Sequence, residues 1–543
     1  MFKRTFTKNL TILANFFIVL IFTVSGCSDN REEYSGVVSA GSPEAVGAGL
    51  EILKQGGNAV DASIAVAFAL AVTEPAQSGL GGQAQFLVYK PGEAPVIING
   101  TSFSPSHLPD GISKDDLVKH KATTVPSLVK VLGYLWKHYS AGSMEWNNLL
   151  KPAIRFAEEG FPLTEFRHKV LEYNAEEIRS DSVIAKLFLG SDGLLINNGA
   201  LWKQPVLAKT LKLLGKNGSD DFYTGNIANK IAEDMKINGG WITFDDLRNV
   251  REPKEPRPLK GTYRGYDIYT MPPPGGGWVI IQALNILERF PSDELKLDSK
   301  NRLRIIALAL QIAHQSRNEE PIGDLINYQQ DVKLKISKDE AKKMLDNYSK
   351  GETTHFSVVD KDGMVVSATL SINNYFGSKS ASPDLCFLYN DYMNEFKINE
   401  PANPFNLRPD AMPYSSMTPT ILMKEGKPVM AIGSPGSERI ISAVVQVLSL
   451  WIDAGLGIEE AVAYPRIHVT PDKVIYLESI NLDRDELFNL EEMGFRFESP
   501  PSEIIINKLN PFFGGINAIA YEIYEWNGAA DPRRDGAVGY ILK

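Results

Sequence analysis

Most hydrolytic chemistries show in the spacing of a few side chains, and the common spacings are missing from this chain. The seven histidines, His107, His120, His138, His168, His314, His355 and His468, never stand at metal-ligand spacing from one another or from a cysteine, and no His-Glu-x-x-His helix occurs. A zinc enzyme is not the reading they support, and neither a metal nor an organic cofactor is expected. There is no Gly-x-Ser-x-Gly turn to present a serine nucleophile, and no Ser-x-x-Lys with partners at a matching spacing. Cys386 lies in the apolar run Leu385-Cys386-Phe387-Leu388, a setting that makes a buried, inert thiol. Ser78-Gly79-Leu80-Gly81-Gly82 lacks the Lys-Ser/Thr ending of a phosphate loop and precedes its strand instead of following it. It reads as a tight turn where backbones approach closely.

The elements around these residues alternate between buried helices and strands. Gly36-Val37-Val38-Ser39-Ala40 reads as a strand, and Ser42-Pro43-Glu44 opens a helix with an N-cap and a proline at its first position. That helix closes at Gly56-Gly57. Asn58 to Thr73 is apolar nearly all round, as a helix inside a core is, and Glu74-Pro75 ends it. Ala84 to Tyr89 reads as a strand. Pro272-Pro273-Pro274-Gly275-Gly276-Gly277 is a loop, followed by an amphipathic helix from Val279 to Phe290. Residues 291–350 read as charged and helical, with many of them solvated, ending in a lysine-rich connector from Lys338 to Lys350. Then the texture changes. Thr354 to Asp360 alternates as a strand, Lys361-Asp362-Gly363 is a hairpin turn, and Met364 to Ser371 returns. Thr420 to Met423, Pro428 to Ile432 and the helix Ile440 to Ile452 continue the pattern. Sheets with helices packed on them make an α+β fold.

Length and composition set the frame. A chain of 543 residues exceeds one compact core, so two domains or one large two-part body is expected. Apolar residues at 43% and charged residues at 22% are ordinary for a globular protein. A net charge of −10 leaves no basic footprint for nucleic acid. Lys3, Arg4 and Lys8 precede an apolar run from about Leu10 to Val24, too short to span a bilayer comfortably, and then Val24-Ser25-Gly26-Cys27. Residues 1–26 therefore read as a lipoprotein-type signal, with Cys27 as the lipidated first residue. The mature chain is expected outside the cytoplasm, tethered to a bacterial membrane.

Seven blocks occur together in this order. They are Gly56-Gly57-Asn58-Ala59-Val60-Asp61-Ala62 with Glu74-Pro75; Ser78 to Gly82; Pro272-Pro273-Pro274; Glu352-Thr353-Thr354-His355-Phe356-Ser357-Val358-Val359-Asp360-Lys361-Asp362-Gly363; Ser415-Ser416-Met417-Thr418-Pro419-Thr420; Gly433-Ser434-Pro435-Gly436; and Ala530-Asp531-Pro532-Arg533-Arg534. Over about residues 37–543 the chain resembles the γ-glutamyltranspeptidases. The resemblance implies a four-layer αββα sandwich of the N-terminal nucleophile hydrolase type. It also implies self-cleavage between Glu352 and Thr353, giving a large part 27–352 and a small part 353–543 that stay together as a heterodimer. A threonine hydroxyl is a weak nucleophile without a neighbouring base. Cleavage would free the α-amino group of Thr353, with an unperturbed pKa of about 7.7–8.0, to be that base.

The resemblance also implies roles for individual residues. Ser371 matches a threonine that bonds the nucleophile, and Asn373 matches an asparagine near the substrate's amino end. Glu395 stands for an aspartate that pairs with the α-ammonium. Ser415 and Ser416 match a pair that binds the α-carboxylate, and Gly436 and Ser437 match the oxyanion-hole residues. Arg439 and Arg534 resemble positions that hold an acidic polymer in the poly-γ-glutamate depolymerase branch. One departure is plain: the family's carboxylate-gripping arginine falls at Thr101, and no arginine lies between residues 91 and 150. The implied substrate is a small γ-glutamyl amide, with the acyl group passed to water or an amine. The alternatives are an acylase for another N-acyl amide or a polyglutamate, and a non-catalytic surface lipoprotein. The purified protein is expected to run as two fragments, and Thr353→Ala as one uncut chain. N-terminal sequencing checks this: a small fragment that starts anywhere but Thr353 contradicts the assignment.

Overall fold

The computed structural model describes residues 34–542 apart from 191, 320, 323–324, 326–327, 339–352, 479–481 and 483. The signal segment, Cys27, Glu352 and most of the lysine-rich connector lie outside the described residues. Tyr34–Ile541 forms one unit, so the two-part expectation takes the form of two cores within a single body.

Two six-stranded sheets carry the architecture. In the first, the strands lie in the order Ala537–Leu542, Tyr34–Ala40, Thr354–Val359, Val365–Ser371, Gln83–Tyr89, Val96–Gly100. In the second, the order is Glu525–Ala530, Asn517–Glu522, Lys427–Gly433, Thr420–Lys424, Tyr266–Thr270, Leu259–Tyr263. Helices Pro43–Lys54, Ala59–Thr73, Leu128–Tyr139 and Trp146–Glu159 share an apolar core with the first sheet. Gly277–Leu287, Arg302–Glu319 and Arg439–Ile452 do the same for the second. Between the sheets, Val37, Leu87, Val359 and Val365 meet Ile421, Ala431 and Ile519. The result is helix, sheet, sheet, helix, the four-layer sandwich expected.

Local sequence explains the buried helices nearest the site. Ser42 caps Pro43–Lys54 by accepting from the Ala45 N–H. Asn58 and Asp61 form a capping box on Ala59–Thr73, all of whose residues are buried. Asp360, at the turn of the hairpin, places Oδ2 2.9 Å from the Ala59 N–H, a carboxylate at a helix N-terminus. That bond ties the segment after Thr353 to the segment before it.

The gap between the sheets is apolar at one end and polar at the other. His355 Nδ1 lies 2.9 Å from Thr369 Oγ1, and Ser367 Oγ donates to the Ile432 carbonyl at 3.2 Å. Asn517 Nδ2 donates to the His355 carbonyl at 3.0 Å. Burial drives His355 down to about 3, so it stays neutral. A polar end fully hydrogen-bonded in this way holds the two sheets in one alignment, because a slip would orphan several buried groups.

One sequence expectation is corrected: the helix at 277–287 is not amphipathic, because every one of its residues is buried. Of the stretch 291–350, the described residues on either side of Arg302–Glu319 are mostly exposed or half-buried, as expected, whereas Ile305 to Arg317 within that helix are almost all buried. Both helices lie between the second sheet and further elements.

Candidate active site

The hairpin sets the position of Thr353. Thr354 pairs with Leu370, and Ser371 pairs with Gln83. Continuing the register by one residue puts Thr353 opposite Ser371, at the end of the first sheet. Thr353 is buried. A Cβ on Gly82 would come within 2.4 Å of the Ser371 carbonyl oxygen, and one on Gly81 within 2.2 Å of the Leu388 oxygen. The glycine turn is thus the close packing that the sequence suggested, and it lies against the strand end that faces Thr353.

One side of the site is acidic and amide-lined. Ser371 Oγ accepts from the Asn373 N–H at 2.8 Å and is hydrogen-bonded to Tyr392. Asn373 takes a left-handed φ of 77°, a conformation asparagine tolerates better than most residues. That turn lets its Nδ2 donate to Glu395 Oε1 at 3.0 Å. Loss of solvent pushes Glu395 up to about 7, against the pull of Asn373, Lys114 and Arg317. Asp391 lies beside it, held by the N–H and side-chain amide of Asn374 at 3.1 and 2.7 Å.

The opposite side is built on the second sheet. Gly433 ends its strand against the His355 ring, and Pro435 shares a small enclosed cavity with Thr354. The turn that follows therefore lies at Thr353's end of the sandwich. Gly436 and Ser437 both have positive φ, 117° and 61°, and helix Arg439–Ile452 starts immediately after. The backbone N–H groups of this turn, just ahead of a helix N-terminus, are donors of the kind an oxyanion needs. Ser415 and Ser416 follow in the loop before Thr420. Ser415 is anchored by its N–H to the Pro274 carbonyl at 3.3 Å, and Ser416 is only half-buried.

Arginines 439 and 534 are placed differently from these. Arg534 donates through Nε to the Gly514 carbonyl at 3.2 Å, through Nη2 to the Pro511 carbonyl at 3.1 Å and through Nη1 to Gln77. The guanidinium of Arg439 lies 4.6 Å over the Phe512 ring. In the same terminal block, Arg533 makes buried ion pairs with Glu478 and Asp531, and Asp531 also pairs with Arg466. These bonds explain the Asp531 to Arg534 block as an internal brace. Thr101 is also committed: its Oγ1 donates to Asn99 at 2.7 Å and accepts from Gln85 at 3.1 Å. Beside it opens a cavity of about 910 Å³ whose lining includes Arg251, Lys254, Arg257 and Lys333.

Three residues at the site were not singled out from the sequence. Glu74, noted as a helix end and within a family block but given no role, accepts from Thr354 Oγ1 at 2.7 Å, and burial pushes it up to about 7. Tyr392 bonds Ser371. Arg317 reaches the serine pair, and its signal was its place on the buried face of a helix, four residues after Ala313 and seven after Leu310. Cys386 is half-buried, and loss of solvent pushes its thiol up to about 11, which keeps it protonated.

The family model for γ-glutamyltranspeptidase matches residues 45–541, and the chain belongs to that family. It is 34% identical over 473 residues to a glutathione hydrolase proenzyme of Escherichia coli strain K12, covering 80% of each chain. It is 33% identical over 534 residues to an acylase ACY 1 proenzyme of Pseudomonas sp. strain V22, covering 92% of each. Among solved structures, a cephalosporin acylase from Bacillus halodurans superposes with a TM-score of 0.82 at 26% identity, covering 93% of this chain and 96% of that one.

The left-handed turn gives a direct check. A non-glycine residue at φ 61° carries backbone strain of about 1–2 kcal/mol, and a β-branched residue carries more. Ser437→Gly is expected to keep self-cleavage and leave the melting temperature unchanged or slightly raised. Ser437→Val is expected to lower it by several degrees and to slow self-cleavage, read together by calorimetry and gel.

Proposed function

We propose that this protein is a self-cleaving N-terminal threonine enzyme that breaks γ-glutamyl amide bonds and passes the acyl group to water or an amine. The observation that carries the reading is the register that sets Thr353 opposite Ser371, between the Asn373–Glu395 side and the Ser415–Ser416 side. Thr353 Oγ attacks the γ-carbonyl carbon while the freed α-amine of the same residue takes the hydroxyl proton. The negative oxygen that forms meets the N–H groups of Gly436 and Ser437. The C–N bond then breaks, the leaving amine takes the proton, and the acyl group stays on Thr353 Oγ as an ester. Water or a second amine attacks that ester, gives its proton to the α-amine and restores the hydroxyl. His355 is not the base, because burial keeps it neutral far below working pH and its ring nitrogens face Thr369 and Ser357.

A second reading has its own support. The basic cavity beside Thr101 suits a donor with further carboxylates, such as a polyglutamate, and the acylase relatives suit a donor with another acyl group.

The pH dependence tests the glutamyl reading. An α-ammonium group pairs with Glu395 only when that carboxyl is ionised, and burial has raised it to about 7. Affinity for a γ-glutamyl amide should therefore be present above pH 7 and be lost as pH falls through 7. A donor whose α-nitrogen is acetylated should lack this limb, as should the Glu395→Gln variant with either donor. Identical pH profiles of kcat/KM for both donors in the wild type would contradict the pairing.

A further inference from the structure

Arg317 is a fully buried cation on helix Arg302–Glu319, and its guanidinium is poorly neutralised. It is 1% exposed. Its Nη2 donates to the Ser415 carbonyl at 3.2 Å and to Ser416 Oγ at 2.7 Å. Among the described residues its Nε and Nη1 have no hydrogen-bond acceptor. The carboxylate paired with it, Glu438, lies 3.5 Å from Nη1, beyond the 2.7–2.9 Å or so of a charge-assisted bond. The Arg317 Cζ lies over the Tyr414 ring, 4.3 Å from the centroid. Burying a guanidinium with idle donors is costly, and such a charge makes sense where an anion arrives. Its field already reaches Glu395, which it helps to ionise.

The direction of one proton completes the argument. Ser416 Oγ accepts from Arg317, so the hydroxyl's own hydrogen points away from the guanidinium. Ser416 is half-buried, within reach of a bound molecule, whereas Arg317 is not. A hydroxyl polarised by a cation behind it is a stronger donor than a free one. Thr101 cannot supply this charge, and its hydroxyl is already spent on Asn99 and Gln85.

We propose that Arg317 is the positioning residue that gives the site its selectivity for a substrate carboxylate, acting through the hydroxyl of Ser416 in place of the arginine absent at Thr101. The inference rests on the glutamyl reading above: Glu395 and Asn373 take the ammonium end, and Ser416 backed by Arg317 takes the carboxylate end of one amino-acid head group.

Two donors that differ only in that group test it, γ-glutamyl-p-nitroanilide and 4-aminobutyryl-p-nitroanilide. The wild type should prefer the first. In Arg317→Met combined with Glu438→Gln, which leaves no unpaired buried charge, KM for the first donor should rise about tenfold or more and the preference should fall toward one. Arg317→Lys should restore part of it. Ser416→Ala should produce the same fall, and adding it to the Arg317 change should cost little more, because both remove one route. Self-cleavage into two fragments reports folding in each variant. If the Arg317 variant does not mature, Arg317→Lys and Ser416→Ala carry the test through their coupling. A preference that survives in the matured variants, additive losses, or equal losses on both donors would overturn the role of Arg317 alone. A wild type that turns over both donors without preference would overturn the carboxylate role and the glutamyl reading together.

Discussion

The antiparallel register between Thr354–Val359 and Val365–Ser371 fixes the geometry on which the rest of this protein depends. One hairpin puts Thr353 at a sheet end and sets Ser371 across from it. The return strand then leads to Asn373, whose side chain bonds the Asp391 carbonyl and Glu395. A slip of one residue would turn every alternate side chain to the other face, placing Phe356 and Val358 in the polar seam and His355 and Ser357 in the helical core. The core on one face and the hydrogen-bonded seam on the other both oppose that slip. Asp360 at the helix N-terminus and the Gly81–Gly82 turn pin the two ends of the hairpin.

Around that fixed point the site divides its charges. Asp391 and Glu74 are buried acids and Glu395 a half-buried one, all raised by loss of solvent. Arg317 lies across from Glu395, with idle donors and an imperfect partner. Arg466 and Arg533, by contrast, are neutralised by short ion pairs with Asp531 and Glu478. That contrast separates charges used to brace the fold from a charge left available to a ligand.

Much of this was legible in the sequence. Ala59–Thr73 declared its burial by being apolar on every side, and Lys361-Asp362-Gly363 declared its hairpin by turn chemistry between alternating runs. The glycines at 79–82 were readable as a packing turn because they precede their strand. The helices at 277–287 and 302–319 were harder. Their polar residues suggested a wet face, yet both are enclosed, and periodicity within one element does not reveal what packs on its far side. Arg317 and Glu74 were hidden for the same reason. An arginine on a charged helical stretch and a glutamate at a helix end look like surface residues until distant segments close over them. The resemblance supplied candidate positions at the site, while the competing bonds that tie down Thr101 and Arg534 became visible only in three dimensions.

The central claim is that Thr353, once freed, carries the acyl group. Its most direct test is to mix the matured protein with a γ-glutamyl amide, quench with acid within the first turnover, and locate the added mass by peptide mapping. A γ-glutamyl increment on the peptide that begins at Thr353 is the predicted result. An increment on another residue, or turnover of the donor with no adduct on that peptide at any quench time, would contradict it.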